Sequence, residues 1–182
     1  GFDSSQVDQN AFIDYVNDTI VDDLFVRDIH PEIRNSINLF RICTISEDSG
    51  VTQVNSSGTV TVSRDTALDY RYSNTWSRCW MEKGPNADRL LNEILADVCP
   101  QADFIIIVLN ESGSGGCRRG DEMAGTLGSG WGTMAHEFGH VFGNLGDEYG
   151  FDCQTSGTNA NASCRALYVG GPPSWIRDNL TV

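Results

Sequence analysis

Ala135-His136-Glu137-Phe138-Gly139-His140-Val141, followed by Leu145-Gly146-Asp147-Glu148-Tyr149, is the stretch from which the rest of the chain is read. On a helix, residues four apart lie about 40° apart around the axis and roughly 6 Å along it, so the imidazoles of His136 and His140 can face one cation. Two of the three histidines in the chain are used this way. Neutral imidazole nitrogen binds Zn²⁺ at about 2.0–2.1 Å, and a working zinc site keeps three protein ligands and one position open to water. Glu137 follows the first of these histidines directly, where its carboxylate can take a proton from that water without being a ligand.

No histidine follows His140, so the third ligand must be an oxygen. Asp147 lies eleven residues after His136, and an unbroken helix would carry it about 16 Å along the axis, beyond reach of a shared ion. The helix therefore has to stop. Gly143 and Gly146 permit a left-handed helix end that turns Asp147 back. Glu148 is the alternative ligand, and a third reading leaves both acids solvated in a loop. The Tyr149 phenol either donates to an oxyanion formed when water attacks or simply packs.

Working outward, Glu122 to Leu127 reads as a short strand just before this helix, and Ser112 to Gly116 as a flexible loop. Phe104-Ile105-Ile106-Ile107-Val108-Leu109 is an apolar run too short for a buried helix, as expected for a strand covered on both faces at the sheet's centre. Ala87 to Val98 reads as a helix capped by Asn86 and ended by Pro100. Phe12, Val16, Ile20 and Leu24 recur every four residues, which predicts an amphipathic helix from about Gln6 to Val26. Ile37 to Ile45 reads as a strand, Val51 to Ser63 as a hairpin, and Asp65 to Gly84 as irregular. His30, before Pro31, is expected at the surface. The acids Asp18, Asp22 and Asp23 read as a solvated helix face, with weak calcium binding as the alternative.

At 182 residues and 40% hydrophobic composition the chain suits one domain. Its net charge of −13 excludes nucleic acid and anionic membrane as natural partners, because both attract basic surfaces. Cys43, Cys79, Cys99, Cys117, Cys153 and Cys164 include no C-x-x-C pair, so three disulfides are expected, with Cys153–Cys164 as the local one. That predicts an oxidising, extracellular setting, which sequons at Asn17, Asn55, Asn110, Asn161 and Asn179 suit. No leader precedes Gly1 and no apolar run approaches membrane-spanning length, as expected of a processed soluble chain, read here as a monomer.

The residues His136-Glu137-Phe138-Gly139-His140 and Leu145-Gly146-Asp147-Glu148-Tyr149 resemble the H-E-x-G-H and L-x-D-E-Y signature of the IgA-peptidase family of bacterial zinc metallopeptidases. Arg41 to Gly50, Asp65-Thr66, Asp103 to Asn110 and Gly115-Gly116 are similar too, so the resemblance spans roughly residues 35 to 150. It implies an α/β (α+β) zincin-like domain over residues 1–182, with 150–182 at most a small subdomain. Within it a twisted sheet lies above the active-site helix, and zinc is held by His136, His140 and Asp147. It implies hydrolysis of peptide bonds in extracellular proteins, immunoglobulin among the possible substrates, with Glu137 as general base. Glu122 to Leu127 then resembles the edge strand on which zincins align substrate by backbone pairing. No methionine follows Met134, so the methionine turn of the metzincin branch is absent. The alternatives are a non-catalytic zinc-containing binding module, recognisable by four protein ligands, and a hydrolase acting on other amides.

Overall fold

The computed structural model describes residues 1–73 and 81–145. The chain opens with α1 (Gln6–Tyr15), capped by the Ser5 side chain, which accepts from the Asp8 N–H. The helix does not end there but continues as a π-helical stretch, Val16–Asp28, that buries Val16, Ile20, Leu24 and Phe25. The expected four-residue apolar repeat is thus realised on one long helical element. A four-residue helix, α2 (Pro31–Arg34), follows, entered through exposed His30, whose ring accepts from the Glu32 N–H.

Two small mixed sheets come next. The first has the order β2-β1-β3-β4, from β1 (Thr52–Val54), β2 (Val60–Val62), β3 (Tyr70–Ser73) and β4 (Met81–Lys83). The β1–β2 pair is the expected hairpin, whereas β3 and β4 replace part of the segment expected to be irregular. Period-two alternation is weak there because Tyr70, Tyr72, Ser73 and Met81 are all buried. The second sheet has the order β5-β7-β6, from β5 (Ile105–Leu109), β6 (Gly116–Arg119) and β7 (Glu122–Thr126). Here β5 and β7 run parallel, and β6 folds back antiparallel on β7.

This order corrects two expectations. The run 104–109 is covered on both faces, but β5 lies at the edge of its sheet and β7 at the centre. Ile37 to Ile45 is the reason: it forms no regular strand beside β5, and among the described residues its strand-type pairing is an isolated parallel bridge from Ile45 to Phe2. Nor is Ser112 to Gly116 wholly a loop, because Gly116 already begins β6.

Between the sheets, Ile107, Leu109, Cys117 and Ala124 pack with Tyr70, Tyr72, Met81 and Leu91. Leu91 belongs to α3 (Ala87–Val98), which has the expected limits. Asn86 does not cap it with its side chain, which turns instead to Asp69. On the other face of the second sheet, Met123 joins Met134, Phe138 and the buried residues of the long N-terminal element, while Phe104, Ile106 and Val108 add partly buried side chains. Three layers result, with α4 (Trp131–Gly143) under the second sheet. Among the described residues no helix is long and apolar enough to cross a membrane.

Cys43 and Cys99 carry free thiols, so the expectation that all six cysteines pair does not hold. Cys43 is exposed on the 37–45 segment, and Cys99 ends α3. Cys79, Cys153 and Cys164 lie outside the described residues.

Candidate metal centre

Everything about α4 depends on which way it is turned. Met134 is fully buried, and the Phe138 ring lies 5.5 Å from both Phe25 and Phe104, at angles of 70° and 73°. Edge-on aromatic contacts of this kind add about 0.5–1.5 kcal/mol each beyond burial. Val141 also packs against this cluster. Residues 134, 138 and 141 share one helical face, so His136, Glu137 and His140 are carried on the remaining surface.

The two imidazoles then meet. His136 Nε2 and His140 Nε2 are 2.9 Å apart, and the rings stand nearly perpendicular with centroids 4.4 Å apart. Two nitrogens bound to one tetrahedral zinc ion are separated by roughly 3.3 Å, so this convergence suits a shared ion. His140 Nδ1 lies 2.6 Å from the Leu145 carbonyl oxygen, which can only accept. Nδ1 therefore donates to that carbonyl, the outer hydrogen bond that metal-binding histidines commonly make, and Nε2 is the nitrogen directed at His136.

Leu145 reaches that position because the helix stops. Asn144 adopts the left-handed conformation (φ 48°, ψ 36°), and the Leu145 N–H returns to the Gly139 carbonyl. The break expected before residue 147 is present, but asparagine rather than glycine takes the left-handed position. Asparagine tolerates that region because its short polar side chain bonds locally. Here Asn144 Oδ1 accepts from Arg118.

Glu137 is buried, at 7% exposure, and points at the sheet. A Cβ at Gly116 would lie 2.7 Å from Glu137 Cγ and Oε1 and 2.8 Å from Thr133 Cγ2. Directly across the ladder from Gly116 is Gly125, where a Cβ would lie 2.3 Å from Met134 Sδ. This glycine pair lets α4 lie close against β6 and β7 and brings Glu137 under the strand edge. Sequence reading placed the edge at Glu122 to Leu127; the structure corrects this, since β7 is central and, among the described residues, β6 is the edge nearest Glu137. Cross-strand pairing decides the point, and it leaves no local trace in the sequence.

A buried knot fixes the entrance to α4. Ser129 Oγ accepts from the N–H groups of Gly115 and Thr126, both at 3.1 Å, and Tyr15 donates to the Ser129 carbonyl at 2.7 Å. Burial pushes the Tyr15 phenol far above its usual pKa, so it remains a donor. These contacts tie the 111–116 segment and α1 to the start of α4. Sequence reading missed Ser129, whose one signal was its place just before a helix among the glycines at 128, 130 and 132.

His136, Glu137 and His140 are thus brought together. Asp147, Glu148 and Tyr149 lie outside the described residues, and among the described residues no cluster of three or more metal-binding side chains assembles. His30 stands apart on the surface, Asp18 and Asp22 are exposed, and Asp23 pairs with Arg27 at 2.7 Å.

No curated protein matches the chain. The family model described as IgA Peptidase M64 matches residues 4–163, well beyond the span of the motifs alone. The chain belongs to that family and is therefore a peptidase, a hydrolase acting on protein or peptide.

Proposed function

We propose that the chain is a secreted, zinc-dependent endopeptidase of zincin-like fold in which His136, His140 and Asp147 hold the metal and Glu137 is the general base. The observation that carries this reading is the meeting of two Nε2 atoms at 2.9 Å, one of them on a ring whose Nδ1 is oriented by the Leu145 carbonyl. Such a donor set suits zinc, which when bound lowers the pKa of a water towards about 7 and polarises a peptide carbonyl. Glu137, held beneath the edge of β6, accepts the proton of the attacking water and passes it to the leaving amine. Extended substrate adds alongside β6, where the backbone supplies hydrogen bonds and alternate side chains face α4. Tyr149 is assigned to the oxyanion. Extracellular proteins, immunoglobulin-type chains among them, are the substrates assigned, supported by the sequons and the family, and the enzyme acts as a monomeric single domain.

Elemental analysis and peptide-library cleavage of the whole chain test this. Zinc should accompany the protein, chelation should abolish cleavage, and Glu137→Ala should retain zinc while losing turnover. An active, chelator-insensitive Glu137→Ala enzyme would contradict the reading.

A further inference from the structure

This chain, of net charge −13, carries a cation beside its candidate site. Along β6, alternate side chains point to opposite faces. Cys117 faces the core between the sheets, and Arg119 reaches the Met81 carbonyl of the first sheet. Gly116 and Arg118 face the other way, towards α4: Gly116 abuts Glu137, and Arg118 Nη1 donates to Asn144 Oδ1 at 3.1 Å, just past the helix end. Arg118 Nε donates to the Gly120 carbonyl at 2.8 Å. The Arg118 backbone is thus about 7 Å along the strand from Gly116, where Glu137 meets it, and the guanidinium is held between Gly120 and Asn144.

Both of those acceptors are neutral. Among the described residues Arg118 forms no ion pair, although the chain carries 25 acidic residues against 12 basic ones. A guanidinium has five N–H donors; two are spent on these neutral oxygens and fix its plane. The outer fork, one N–H from each terminal nitrogen, matches a carboxylate in bidentate geometry. Elsewhere the protein's own charge repels acidic peptide, so attraction at this point discriminates locally.

We propose that Arg118 is a specificity-determining residue that selects an acidic side chain, glutamate or aspartate, near the bond to be cut. The proposal rests on the endopeptidase reading and on substrate lying along β6.

The test uses the whole, zinc-loaded chain and its Arg118→Gln and Arg118→Glu variants. Library cleavage by the wild type should enrich Asp and Glu at one position within about two residues of the cut, the reach set by strand spacing. Two synthetic peptides differing only by Glu or Gln there should differ about tenfold in kcat/KM. That ratio should fall to about one in Arg118→Gln and invert in Arg118→Glu, as expected when one charge pair carries the discrimination. A merely structural role would lower both peptides equally; that result, or a ratio unchanged in Arg118→Gln, overturns the proposal while leaving the peptidase reading intact. A wild-type chain that cuts no peptide at all overturns both.

Discussion

Replacing Gly116 with alanine is the most demanding check on the proposed role of Glu137 as general base. The added Cβ would stand 2.7 Å from Glu137 Cγ and Oε1 and 2.8 Å from Thr133 Cγ2. Non-bonded carbon atoms prefer about 3.5–4.0 Å, so roughly 1 Å of relief is required. Helix α4 cannot supply it cheaply, because Met134 is fully buried and Phe138 is wedged between Phe25 and Phe104. The Glu137 carboxylate or the β6 backbone must move instead. A displacement of about 1 Å in a positioned catalytic group costs on the order of a hundredfold in rate, while overpacking costs about 1–3 kcal/mol of stability. The three atoms nearest the new methyl belong to Glu137 and Thr133, not to a histidine, so zinc should stay. The assay is kcat on the best-cleaved peptide, with zinc content and thermal melting measured on the same preparation. A folded, zinc-loaded Gly116→Ala enzyme with wild-type kcat would refute the assignment of Glu137 as a tightly held base.

Gly125→Ala, across the ladder, meets the Sδ end of the Met134 side chain rather than a catalytic group, so it should lower stability by about 1–3 kcal/mol with a smaller loss of kcat than Gly116→Ala. Ser129→Ala removes the acceptor of two buried N–H groups and should cost about 2–4 kcal/mol, read from the midpoint of urea unfolding. Tyr15→Phe deletes one buried hydrogen bond to the Ser129 carbonyl and should cost about 1 kcal/mol in the same experiment. His140→Ala should abolish stoichiometric zinc while the circular dichroism of α4 survives, because His140 lies off the face that Met134 and Phe138 bury.

What was legible in the sequence follows the range of the interactions involved. The limits of α3, the long N-terminal helix and the histidine pair on α4 depend on residues three or four apart, and periodicity exposes them. The hairpin β1–β2 is equally local, closed by an Asn55 side chain that accepts from the Ser57 and Thr59 N–H groups. Sheet order was not legible. Glu122 to Thr126 is a strand as expected, yet nothing within it says that β6 lies on one side and β5 on the other. The contact between Gly116 and Glu137 joins residues 21 positions apart and involves a residue with no side chain to read. At the helix end the local rule was sound but its usual residue was not: Gly143 stays helical, and Asn144 makes the turn.

The chemistry is fixed less by the motif than by what lies opposite it on the helix. A rotation of α4 by one residue is about 100°. In either sense it would expose Met134 and Phe138; in one it would put Glu137 and His140 among Ile20, Leu24 and Phe25, each almost wholly buried, and in the other it would leave Ala135 and Gly139 to fill the space of Met134 and Phe138. Exposing one large apolar side chain costs about 1.5–3 kcal/mol, and burying an unpaired polar ring costs more on top. Several such terms act together, against a total stability of only about 5–15 kcal/mol for a domain, so the alternative rotation is not populated. The orientation observed presses Glu137 against Gly116 and turns the His136–His140 pair away from the core. Apolar residues with no part in hydrolysis therefore place the groups that are proposed to perform it. Substitutions at Phe138 should accordingly reach the site through helix orientation, before they unfold the domain.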